Sequence, residues 1–111
     1  MRDVTDPVAM VRIHWLGANR EPEMGSTMGA TAVFVLGDDA SVVPDWPAAG
    51  EHHSILLTFT EVDLAVGVIE AKIDFLDRRS VAELLHEGAI LLLMAGPTPI
   101  AEAEITAVMR E

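Results

Sequence analysis

The densest chemistry in the chain is at Glu51-His52-His53, where two imidazoles and a carboxylate stand in a row. That donor set suits a divalent cation. The spacing works against it, because neighbours on a strand point to opposite faces and one site cannot easily use both rings. His14 and His86 lie elsewhere in the chain with no ligand spacing. The expectation is a pair of surface histidines beside a loop, and no metal or other cofactor. Glu102 and Glu104 are two apart, so on a strand they share a face. Paired carboxylates in a cleft can split their pKa values and do acid–base work. Without such a cleft they form the wet face of a strand, which is the expectation here.

Ser26, Ser41, Ser54 and Ser80 are the hydroxyl nucleophile candidates, and none sits in a Gly-x-Ser-x-Gly elbow. Gly25-Ser26-Thr27-Met28-Gly29 lacks the lysine of a phosphate loop. No catalytic residue is assigned. Trp15 alternates with Val11 and Ile13 and is expected in the core. Trp46, between Asp45 and Pro47, is expected to lid the core from a loop; exposed, it would be a binding anchor. Trp46, His52 and His53 are therefore the candidate binding residues, at the mouth of whatever fold the 45–53 loop closes.

The elements that must position these residues read as strands. Ala9–Leu16 alternates, with Val11, Ile13 and Trp15 on one face and Arg12 and His14 on the other. Gly17–Glu23 is a polar loop. Thr27–Leu36 is apolar on both faces, as a central strand would be. Gly37-Asp38-Asp39 turns the chain, Ala40–Val43 is a candidate short strand, and Pro44–Gly50 continues as loop. His53–Thr60 is β-rich. Val62–Leu76 is too long for one strand, and a break is expected near Gly67 or within Glu70–Asp74. Asp77–His86 is the one helical candidate, about two turns long, with Asp77 as cap and Val81, Leu84 and Leu85 as its stripe. Ala89–Met94 is a buried strand, Ala95–Pro99 a turn, and Ile100–Met109 the last strand. Short strands separated by Gly/Pro turns, with too little helix for βαβ units, predict an all-β fold. The form expected is a small closed or nearly closed antiparallel barrel of about six strands with one short helix.

The chain has 111 residues, half of them hydrophobic, which suits one domain over 1–111 with 1–8 as a loose lead-in. There is no cysteine, which excludes thiolate chemistry and disulfides and fits a reducing compartment. The first residues lack the apolar run of a signal peptide. Ala89–Ala95 is far short of the roughly 20 residues that span a bilayer. A cytoplasmic protein off the membrane is expected. The net charge of −11 repels phosphate backbones at long range, so nucleic acid is disfavoured as a partner. The charge serves solubility, or an acidic face for a basic protein.

From Glu87 to Val108 the residues form a pattern. Glu87-Gly88-Ala89-Ile90-Leu91-Leu92-Leu93-Met94 leads into Ala95-Gly96-Pro97-Thr98-Pro99, then Ile100–Val108 with Ala101 and Ala103. This resembles the end of the C-terminal β-barrel of elongation factor Tu and related translation GTPases, where a Gly-containing hairpin and a small-residue strand close the barrel. Met10–Leu16 with Thr27–Phe34 is similar to that barrel's opening strands. The family's Arg-containing hairpin is replaced by Pro97-Thr98-Pro99, and its Tyr-Arg-Pro-Gln stretch is missing near Met24–Gly29. The resemblance implies a six-stranded docking barrel and carries over no functional residue.

The function expected is a stand-alone, non-catalytic interaction module with a protein partner. One alternative is a small-molecule-binding barrel or minor enzyme with its site near the 45–53 loop. The other is an RNA-contacting translation-factor relative, which needs Arg12, Arg20, Lys72, Arg78 and Arg79 to assemble into a basic strip. Any open strand edge would also favour homo-oligomers.

Overall fold

The computed structural model describes residues 2–16, 22–37, 45–48 and 50–109. Among the described residues six strands occur in chain order: β1 (Ala9–Trp15), β2 (Thr27–Phe34), β3 (His53–Asp63), β4 (Val68–Phe75), β5 (Ile90–Ala95) and β6 (Thr98–Val108). They close into a barrel in the order β1-β4-β3-β2-β5-β6, with β6 returning to β1. Every pairing is antiparallel. The expected all-β barrel is thus the fold.

Alternation explains which side chains fill the interior. Val11 and Ile13 of β1 are buried between exposed Arg12 and His14. Ile69, Ala71, Ile73 and Phe75 of β4 point inward, as do Ile55, Leu57 and Phe59 of β3. The small residues of β6 have a steric reason. Ala101 pairs with Trp15 on one side and Leu93 on the other, and Ala103 pairs with Ile13 and Leu91. A small residue between two large ones lets the layer interdigitate. Bulges between Met10 and Val11, Phe59 and Glu61, and Leu93 and Met94 add the local bend that closure needs.

The long run Val62–Leu76 breaks where Gly67 predicted. β3 ends at Asp63, residues 64–67 turn, and Gly67 takes φ 73°, which favours glycine. The helix is shorter than the periodicity suggested. It is α1 (Arg78–Val81), four residues long, and Asp77 makes no side-chain cap. Leu84 and Leu85 are only half-buried, so little stripe remains to extend it. Val81 alone is fully buried and plugs this end of the barrel. The candidate strand Ala40–Val43 lies outside the described residues.

The lead-in carries buried side chains despite its lack of pattern. Val4 and Val8 are 5% and 7% exposed. A hydrogen-bond relay ties this segment to the outer face of β3 and β2. Val4 N–H donates to Thr58 Oγ1 at 2.8 Å, and Thr27 Oγ1 donates to Asp3 Oδ1 at 2.7 Å. Because the Thr27 proton goes to the carboxylate, the 2.7 Å contact between the threonines has Thr58 donating. Farther along, Arg78 grips Asp74 at 2.9 and 3.1 Å and donates to Asp6 O at 2.7 Å. Thr58→Val keeps the volume and breaks the relay at its centre, leaving a buried N–H without its acceptor. It is expected to cost about 1–3 kcal/mol in chemical denaturation.

Candidate functional site

The β2–β3 connection brings Trp46, His52 and His53 to the same end of the barrel but not to one point. His53 is the first residue of β3 and pairs with Ala32, whose side chain is in the core, so its ring points inward. His52 then faces outward. The opposed orientation expected from strand geometry is what the fold produces.

His52 is a structural link. Its Nε2 lies 3.0 Å from Ala48 O and its Nδ1 lies 3.2 Å from Thr31 Oγ1. A carbonyl can only accept, so Nε2 donates, and the neutral ring takes the Thr31 hydroxyl proton at Nδ1. Both nitrogens are engaged in tying the loop to β2. Trp46 is half-buried beside Gly50 on the outer face of β2. A Cβ on Gly50 would stand 2.8 Å from Val33 Cγ1 and 3.1 Å from Pro47 O. Val33 is 2% exposed and β-branched, so it cannot turn away cheaply. Gly50→Ala is expected to cost about 1–3 kcal/mol and to shift Trp46 fluorescence, which denaturation followed by emission would measure.

The His53 side chain is 9% exposed. It meets the rings of Phe34 and Phe75 edge-on, at centroid distances of 5.8 and 6.3 Å. Its Nδ1 is 3.5 Å from Ser80 Oγ and its Nε2 is 3.9 Å from Glu51 Oε1. The order Ser–His–Glu has the outline of a nucleophile, base and orienting acid. The proton geometry argues against that use, because Ser80 Oγ donates to Asp77 O at 2.9 Å and therefore meets His53 as an acceptor. Around these groups is an open depression of about 420 Å³, lined by Glu51, His52, His53, Ser54, Asp77 and Ser80. Ser41 lies outside the described residues.

Glu102 and Glu104 sit exposed on the outer face of β6, as expected for a wet strand. His14 pairs with Glu102. Arg12 stands between Glu104 and Glu70 in register. A second depression, about 210 Å³, lies over this row. Of the bases that a basic strip would need, Lys72 is beside Met10, Arg78 is bound to Asp74, and Arg20 is outside the described residues. Among the described residues no group of three or more His, Asp or Glu converges as a metal site, and no helix is long and apolar enough to cross a membrane.

Composition did not reveal the exposed apolar side chains. Leu16, Met24, Leu64 and Val66 are 50%, 68%, 46% and 69% exposed, all at the end of the barrel where β1 stops and β2 begins. Leu64 and Val66 occupy a turn, where Gly, Asn, Asp and Ser are the ordinary choices. That departure from turn chemistry was the available signal. No family model, curated protein or solved structure matches this chain.

Proposed function

We propose that this barrel is a non-catalytic interaction module that docks to a protein partner and is related in kind to the third domain of elongation factor Tu. The observation that carries the reading is the set of exposed apolar side chains at the end formed by the 16, 24 and 64–66 positions of a closed barrel. Several large apolar side chains exposed at one end of a barrel suit a partner better than they suit solvent. The resemblance at Glu87–Val108 supports the reading in that it implies a six-stranded barrel, and β5, the Gly96 turn and β6 are its residues. The acidity supports a protein partner over nucleic acid.

Affinity capture with the tagged full chain at about 50 and 300 mM salt tests it, since the Debye length shortens across that range. A protein retained at low salt and released at moderate salt is expected. Co-purifying RNA sinks the proposal in favour of an RNA-contacting role. The depression at His53 favours a second reading, a small-molecule barrel, for which saturable chemical-shift changes at His53 and Ser80 against a metabolite panel are the sign.

A further inference from the structure

Exposed apolar side chains occur at both ends of the barrel, and the mix of charges distinguishes the two. Val35, Leu36, Leu76 and Met109 lie at the end where Arg78 and Arg79 stand among Asp6, Asp74 and Asp77, with Arg78 bound to Asp6 and Asp74. The opposite end is led into by acids. No Lys or Arg occurs between Arg20 and Lys72, a stretch that includes the whole β3–β4 hairpin down to Glu70 and Ala71.

Toward its turn the β3–β4 hairpin continues past the rungs that its neighbours make among the described residues. β1 pairs with β4 as far as Glu70, and β2 pairs with β3 as far as Thr58, with Phe59 bonded to Gly25 and Ser26 just beyond. Among the described residues the last two rungs, Val62↔Ile69 and Asp63↔Val68, are made only within the hairpin. Ile69 is 3% exposed and anchors the base. Asp63 Oδ1 accepts the Ala65 N–H at 3.2 Å and holds the turn. Leu64 and Val66 are thus displayed on a supported tip, with Glu61, Asp63 and Glu70 on the strands behind them. The nearest base in register is Arg12, opposite Glu70.

Resting on the interaction-module reading, we infer that the β3–β4 tip is the docking element: Leu64 and Val66 enter an apolar pocket on a protein whose rim carries Lys or Arg side chains facing Glu61, Asp63 and Glu70. Apolar anchors supply the affinity of such a contact. Charge complementarity selects the partner and speeds its arrival. A second copy of this acidic chain is disfavoured by the same charge.

The test places a photo-crosslinking benzophenone side chain at Val66 in the full chain. The reference is the same group at Leu76, which is equally exposed, at 69%, on the opposite end. Adducts are mapped to partner peptides by mass spectrometry. The expected result is an adduct yield from Val66 at least about tenfold above Leu76, at peptides adjoining Lys or Arg, and cut about tenfold by the pair Glu61→Lys and Asp63→Asn, which keeps an acceptor for the Ala65 N–H. Protein adducts that form mainly from Leu76 overturn the tip assignment and leave the module reading standing. Val66 adducts indifferent to the charge change overturn the basic rim. RNA adducts, or no protein adduct from either position, overturn both readings.

Discussion

Phe59→Ala is expected to remove about 3–5 kcal/mol of folding stability, a large share of the roughly 5–15 kcal/mol typical of a domain. Phe59 is 2% exposed and meets Trp15 edge-to-face at 6.5 Å and 73°. It sits at the β3 bulge, and its backbone holds Gly25 and Ser26 at 2.8 and 2.9 Å. Truncation leaves a cavity at that bend, deprives Trp15 of its packing and loosens the entry to β2. Strands whose side neighbours are already fixed by closure cannot collapse far into the gap, which places the cost in the upper part of the range. The melting temperature should fall by roughly 10–25 °C, and Trp15 emission should shift to the red even in the folded state. Circular dichroism and fluorescence melts measure both. A loss below about 1 kcal/mol would contradict the packing described.

Leu64→Glu with Val66→Glu should leave that melting temperature within about 2 °C of the parent, because exposed positions outside the core contribute little. Partner binding should weaken about thirtyfold or more, the scale on which truncated interface anchors act. The dissociation rate should carry most of the change. Glu61→Lys with Asp63→Asn, which keeps an acceptor for the Ala65 N–H, should instead slow association and flatten its salt dependence. Titration of the captured partner onto immobilised barrel separates these rates. A double variant that binds like the parent would remove the tip from the interface.

Much of the barrel was legible in the residues because period-two alternation and burial are the same statement on a sheet. Val11-Arg12-Ile13-His14 reads directly as in, out, in, out, and Gly67 marks its turn because a positive φ favours glycine. The helix is shorter than its pattern: Val81, Leu84 and Leu85 have helical spacing, but only Val81 is fully buried, while Leu84 and Leu85 pack half-buried against the core. The N-terminal packing was invisible for the opposite reason. Val4 and Val8 have no period, and their burial depends on Thr58 and Ile73, which are adjacent only after closure. At the candidate site the opposed faces of His52 and His53 followed from strand geometry. The partners of each ring did not, since Ala48, Thr31 and Ser80 come from three separate segments. The exposure of Leu64 and Val66 was hidden because apolar residues are read as interior until a turn is seen to expose them.

The lead-in runs from Val8, where Met109 N–H donates to Val8 O at 2.8 Å, across to Thr58 and Thr27. The two flanks of the barrel therefore diverge. Polypeptide joined after Met109 would start at the end away from the 64–67 turn, whereas polypeptide joined ahead of Asp3 would start beside the first residue of β2. A circular permutant needs a bridge that spans the side of the barrel, or gives up the Val4–Thr58 bond to shorten it.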